Sequence, residues 1–196
     1  MSFIHQIDYW FFAQINAFAG YWIWLDTLAR LFLNDYFVPT VIAASLLALW
    51  FEGIEGTERT TNQRAVLVAA LSAALANALV KIMNLLYFRP RPFHTYEVNL
   101  LFYPPTDSSF PSNAAALGFS VAAGVWIYQA RWGRFLLALA SIFGLSRIFG
   151  GVHYPLDVVA GAILGCLSAW FIHRQQKLID KLLTLLVSLT QKLSLP

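Results

Sequence analysis

The sequence predicts an all-α, integral-membrane helical bundle with five to six transmembrane helices. Three observations carry that expectation. Of 196 residues, 59% are hydrophobic and only 12% charged, against roughly 25% charged in a soluble domain. The apolar residues fall into five runs, several of them near the ~20 residues that span a bilayer. Aromatic residues crowd the N-terminal region, as they do in the headgroup layer.

The elements follow in order. Residues 3–34 are rich in Trp, Phe and Tyr, carry Asp8, Asp26 and Arg30, and are split by Gly20. They fit one irregular span or a pair of interfacial helices. The five apolar runs are 36–51, 65–88, 111–130, 135–150 and 155–172. In the tail, 174–195, leucines at 178, 182, 183, 185, 186, 189 and 193 alternate with Lys177, Lys181 and Lys192. That pattern predicts an amphipathic helix lying on the membrane. The chain is expected to form a single domain over 1–196, with 36–172 as the catalytic bundle and 174–195 as an amphipathic tail.

Composition also excludes. The net charge of +3 is small and its basic residues are unclustered, which argues against a nucleic-acid partner. Cys166 is the sole cysteine, so no disulfide framework is expected, and it reads as a small buried hydrophobe. The first residues, MSFIHQIDYWFF, do not read as a cleavable leader.

Basic residues orient the bundle. The loop 131–134 (RWGR) and the tail after His173 share one side with 52–64, where Arg59 and Arg64 are offset by Glu52, Glu55 and Glu58. By the positive-inside rule this side is cytoplasmic. Arg89, Arg91 and Arg147 then lie on the opposite side, against the rule, which asks for a purpose there.

Three segments converge on that side: FRPRPFH, SFPSNAAA and SRIFGGVHYPLD. In the third, His153 and Asp157 are four apart, and Pro155 suits the first position of a helix. A carboxylate in that first turn can hold one imidazole nitrogen as a donor and leave the other as a nucleophile. Arg147 supplies a planar cation suited to phosphate oxygens. The plainer alternative is a structural Arg147–Asp157 pair beside an interfacial histidine, but charges within membrane segments are costly and usually functional. In the second segment, Pro111 fits a helix start that would leave the N–H groups of Ser112 and Asn113 free for an anion. In the first, Pro90 and Pro92 stiffen the loop that aims Arg89 and Arg91.

At these residues the chain resembles the membrane branch of the type 2 phosphatidic acid phosphatase family. That family's pattern has a Lys, an Arg-Pro six residues on, a Pro-Ser-Gly-His, and then Ser-Arg, five residues, His, three residues, Asp. Ser146, Arg147, His153 and Asp157 match the last part fully. The resemblance implies that His153 is the nucleophile that becomes phosphorylated and Asp157 its orienting partner. It also implies that Arg91, Ser112 and Arg147 clamp the phosphate, with Asn113, Arg89 and Lys81 as further candidates. It implies no cofactor and no metal.

Three positions depart from the pattern, the mildest being the Gly of Pro-Ser-Gly-His, which is Asn113 and keeps its N–H. The first-motif lysine falls at Asn84, with Lys81 one turn earlier or Arg89 as possible replacements of its charge. The histidine of Pro-Ser-Gly-His is Ala114, which cannot transfer a proton. The family's histidine is the general acid, a role worth about 10²–10⁴ in rate, so the chain is expected to be impaired as it stands, as a natural or a substituted form. His94 is a weaker substitute donor.

The run YFRPRPF followed by SFPSN further resembles the bacitracin-resistance subgroup, the undecaprenyl-diphosphate phosphatases. The expectation is a lipid phosphatase that takes undecaprenyl diphosphate to undecaprenyl phosphate plus phosphate. It would work in the bacterial inner membrane, with its site on the periplasmic face and a polyprenyl phosphate or other lipid phosphate as partner. The alternatives are a phosphatidate or phosphatidylglycerophosphate phosphatase, or a catalytically silent lipid-phosphate binder.

Overall fold

The computed structural model describes residues 3–53 and 56–193. Expectations on Met1, Ser2 and Glu55, and on the side chains of Leu189, Lys192 and Leu193, lie outside the described residues. Among the described residues every regular element is a helix, with no strand. Helix α1 (Phe3–Asn16) and α2 (Ile23–Leu33) occupy the aromatic N-terminal region, so that region is a pair of helices. Then come α3 (Phe37–Phe51), α4 (Thr57–Leu86), a short α5 (Pro92–Thr95), α6 (Asn113–Trp126), α7 (Ala130–Phe149), α8 (Pro155–His173) and α9 (Gln176–Leu193).

Three of these, α4, α7 and α8, are long and apolar enough to cross a membrane. The pair α2 and α3, bent by 58°, makes a fourth span if taken together. The expected five to six spans therefore include helices too short to cross alone. The clearest is α6, whose 14 residues give only about 21 Å at 1.5 Å per residue.

That short helix is the centre of the bundle, packed against α4, α7 and α8. Close approach is possible because the facing residues are small, a common device among membrane helices. Gly118 meets Ala140 of α7, Gly124 meets Ala69 of α4, and Gly165 of α8 lies against the α6 backbone. A Cβ on Gly165 would sit 2.5 Å from the Ala116 carbonyl oxygen and 2.7 Å from the Ser120 nitrogen. The main apolar cluster spans α3, α4, α6 and α7, through Ile42, Leu49, Ala69, Val125, Leu136 and Phe143.

Helix α1 is inverted relative to a soluble amphipathic helix. Its inward face carries Asp8, Phe12 and Asn16, four residues apart, whereas Phe3, Ile4, Trp10 and Phe11 are exposed. Aromatic residues outside and polar residues inside suit a helix against lipid. Cys166 is exposed on α8, not buried as the sequence suggested, because the outer face of a membrane helix is itself apolar. In α9, Ile179 and Leu183 are buried and Asp180 pairs with Arg64 of α4 at 2.6 Å, so the tail is docked on the bundle.

The bundle has two polar ends. At one, Gln129 bonds Asn62, Trp132 bonds Glu52 and Tyr128 bonds His173. At the other lie Arg89, Arg91, Arg147, His153 and Asp157, with α1 across them. Gly165→Ala should lower stability by about 1–3 kcal/mol through overpacking. Thermal unfolding in detergent, compared with the parent chain, checks this, and an unchanged midpoint would contradict the packing described.

Candidate active site

The site begins with the turn between α7 and α8. Gly151 has φ +83°, a conformation that glycine adopts without strain. Both Val152 and His153 then donate their N–H to the Arg147 carbonyl, at 3.1 and 3.2 Å. This folds His153 back beside Arg147. Pro155 opens α8 as the sequence predicted, and the Asp157 carboxylate accepts the Tyr154 N–H at 2.9 Å, closing the first turn.

The donors around His153 fix its tautomer. Arg91 Nη1 lies 3.1 Å from Nε2, and an arginine can only donate. Nε2 therefore carries the lone pair. Nδ1 carries the proton and donates to the Ser109 carbonyl at 2.8 Å. Asp157 Oδ2 is 3.7 Å from Nδ1, an ion-pair distance beyond a hydrogen bond. Its hold on the ring runs through Ser109, whose hydroxyl donates to Asp157 Oδ2 at 2.5 Å. Burial, together with the Arg91 and Arg147 charges, pushes the imidazole below its ordinary value, although Asp157 pulls the other way.

His153, Arg91, Arg147, Asn113 and Ala114 line one cleft of about 340 Å³, with Asp35 and Asp107 at its rim. Arg91 is firmly held. Its Nε donates to the Asp107 carbonyl, its Nη1 to the Val152 carbonyl and its Nη2 to the Asp107 carboxylate, at 3.1, 2.9 and 2.8 Å. Arg147 is less committed. Nη2 donates to Asp35 at 3.1 Å, Nε has no partner, and the guanidinium lies over Phe143 and Phe102 at 4.7 and 5.1 Å. Asp35 also accepts the Tyr103 hydroxyl at 2.7 Å. Arg147 thus pairs with Asp35 and Asp157 with Arg89, so the structural Arg147–Asp157 pair weighed above does not form.

Ser112 is the N-cap of α6, and its hydroxyl accepts the Ala115 N–H at 3.5 Å. Its own N–H is not free, contrary to expectation, because it donates to the Asp157 carbonyl at 2.9 Å. This bond ties the start of α6 to the start of α8. Asn113 is exposed at the cleft and Ala114 lines it, so the missing imidazole would have stood in the cleft wall.

Four sequence candidates do not line the cleft: Ser112, which is fully buried, and Lys81, His94 and Arg89. Lys81 is exposed on α4, and His94 is exposed with its ring against Phe93. Arg89 is turned inward, bonding Asp157 at 2.5 Å and Asp8 at 2.6 Å. Neither Lys81 nor Arg89 lines the cleft. Ser109, Asp35, Tyr103, Asp107 and Asp8 were not singled out from the sequence. For Asp8 a signal existed: a carboxylate alone on an aromatic helix is expected to have a buried partner.

A bundle of membrane helices that gathers His153, Arg91 and Arg147 around one cleft has the charge to take an anionic group. The comparisons agree. The PAP2 superfamily profile matches residues 65–180, and the chain belongs to that family. It is 39% identical over 142 residues to the bacitracin transport permease protein BcrC of Bacillus licheniformis, covering 72% of this chain and 67% of that one. It is 26% identical over 181 residues to the undecaprenyl-diphosphatase BcrC of Bacillus subtilis, covering 92% and 90%. The crystal structure of Aquifex aeolicus LpxE superposes with a TM-score of 0.66 at 26% identity, over 84% of this chain and 93% of that one.

The depressed His153 value has a measurable sign. The neutral form persists to lower pH than an ordinary histidine's would, so a reaction that uses its lone pair should be lost only as pH drops through the depressed value. For the chain as it stands, the acid limb of kcat/KM should lie below the ordinary histidine value of 6.5. An acid limb above that value would contradict the neutral, buried nucleophile.

Proposed function

We propose that the protein removes the terminal phosphate of a lipid diphosphate through a phosphohistidine on His153. The most specific form of this reading is undecaprenyl diphosphate going to undecaprenyl phosphate and phosphate. The observation that carries it is the His153 Nε2 lone pair, held by an Arg91 donor at 3.1 Å on a ring that lines the cleft, so that a phosphate drawing Arg91 to itself frees the nitrogen for attack. Nε2 attacks the terminal phosphorus, and the bond from phosphorus to the bridging oxygen breaks. The lipid monophosphate leaves with the bond's electron pair. Water then cleaves the N–P bond, releasing phosphate and restoring the imidazole, while Nδ1 keeps its proton throughout.

Arg91 and Arg147 neutralise charge on the transferring group, the usual electrostatic contribution in phosphoryl transfer. Arg147 lines the cleft and is paired there through Nη2 with the half-exposed Asp35, a partner that a phosphate oxygen could replace. The N–H groups at the start of α6 add an anion-binding end. Single-domain organisation over 1–196 fits this reading, since α1 contributes polar contacts to the site. The basic segments 131–134 and 174–181 lie at the far end of the bundle from the cleft, which favours a cleft on the periplasmic face of a bacterial inner membrane.

Ala114 favours the second reading, a silent lipid-phosphate binder. The two readings separate through leaving-group chemistry. A lipid monophosphate expels an alkoxide and needs an acid. A lipid diphosphate expels a phosphate monoester, whose second pKa is about 6, and needs much less help.

Phosphate release should therefore be measured from a polyprenyl diphosphate and from phosphatidate, for this chain and for Ala114→His. The chain as it stands should turn over the diphosphate in preference. Ala114→His should raise phosphatidate hydrolysis by about 10²–10⁴ and diphosphate hydrolysis by less. No turnover on either lipid by either protein would establish the silent binder.

A further inference from the structure

We propose that Asp8, on α1, is a positioning residue for phosphoryl transfer: through Arg89 it keeps the Asp157 carboxylate available to His153. The proposal rests on His153 being the nucleophile. Its observations lie outside the cleft.

The Asp8 side chain is completely buried, although its helix presents aromatic residues outward. A buried carboxylate persists only where it is paired and hydrogen-bonded. Asp8 has both kinds of partner: Oδ2 takes Arg89 Nη2 at 2.6 Å, and Oδ1 takes the N–H of Leu156 at 2.9 Å. Leu156 immediately precedes Asp157, so Asp8 holds both the start of α8 and the cation that faces Asp157.

Arg89 has no place on the cleft. Its Nη1 reaches Asp157 Oδ1 at 2.5 Å, and its guanidinium lies over the Tyr154 ring at 4.2 Å. Burial alone would lower its pKa, but Asp157 and Asp8 outweigh this and raise it, so it stays charged. Two carboxylates share one guanidinium, and the buried cluster carries a net charge of −1.

That charge matters when the bond to phosphorus forms. The His153 ring becomes cationic at that moment, while Arg91 and Arg147 both oppose a positive ring. The negative cluster opposite them is what stabilises it. Without the Asp8 charge the cluster would be neutral. Arg89 would then be free to grip Asp157 with both nitrogens, the strong bidentate geometry of arginine and carboxylate. Asp157 would be drawn from Ser109 and from the ring. No cleft residue changes, so substrate binding should hold while chemistry slows.

The test uses full-length protein in proteoliposomes, as it stands and with Ala114→His, acting on a polyprenyl diphosphate. Asp8→Asn should lower kcat by about tenfold or more, the scale of outer-shell partners of metal-bound histidines, with KM within about twofold. Because the ring loses a stabilising negative charge, the acid limb of kcat/KM should move to lower pH. The charged and polar groups facing the ring, Asp157, Ser109, Arg91 and Arg147, are unaltered. Asp8→Glu, which keeps the charge, should recover most of the rate and leave the limb in place. If Asp8→Asn does not fold, Arg89→Lys gives the second reading, because it keeps the charge but breaks the two-pronged bridge. It too should slow kcat at constant KM.

Full activity in Asp8→Asn, or in Arg89→Lys, would overturn the proposal. So would a loss that only tracks the amount of folded protein with an unmoved acid limb. His153→Ala is run in parallel. If it still turns over, the nucleophile assignment itself has failed. If it is dead while Asp8→Asn is fully active, only the role of Asp8 has failed.

Discussion

The burial of the Asp157 carboxylate is the constraint on which the rest depends. Its side chain is wholly shielded from solvent, where an unpaired charge would be prohibitive. Four elements meet to satisfy it. The Tyr154 N–H comes from its own helix start, the Ser109 hydroxyl from the loop before α6, and Arg89 from the end of the α4 loop. Asp8 of α1 holds that arginine in turn. Satisfying one carboxylate thus fixes four segments distant in sequence.

The placement of His153 follows. The Ser109 that donates its hydroxyl to Asp157 also offers its carbonyl to Nδ1. The tautomer that leaves the lone pair on Nε2, where Arg91 donates to it, is set by the same loop that shields the carboxylate. The arginines divide accordingly. Arg89 faces the buried side and keeps Asp157 company. Arg91, two residues on, faces the cleft and donates to Nε2. Exposed carboxylates at the rim, Asp35 and Asp107, steady Arg147 and Arg91. The carboxylates are exposed while the arginines are buried, so water can solvate a carboxylate that yields its arginine to a phosphate.

Much of this was legible in the chain. Spacing alone placed His153 and Asp157 on one helix start, and Pro155 marked that start. The clustering of three motifs at one end was read from apolar runs and basic loops. What stayed hidden was mediated or long-range. Asp157 was expected to bond His153 directly, but Ser109, 48 residues away, stands between them. Arg89 and Arg91 are indistinguishable as RPRP in sequence. Only the inward carboxylates, Asp8 at 81 residues' separation among them, show which one faces the protein. The central position of α6 was also hidden, because the apolar run 111–130 gives no sign that Gly118 and Gly124 of this helix and Gly165 of α8 will let its neighbours close around it.

The account turns on the open nitrogen of His153, and the most direct measurement is to trap what forms there. The chain would be incubated briefly with polyprenyl diphosphate labelled in its terminal phosphate, quenched in alkali, digested and mapped. A diphosphate's leaving group needs little acid, so Ala114 should not prevent the first step, and label should appear on the peptide carrying His153, stable to alkali and lost in acid. Label on another residue, or free phosphate released by a His153→Ala chain, would contradict the account.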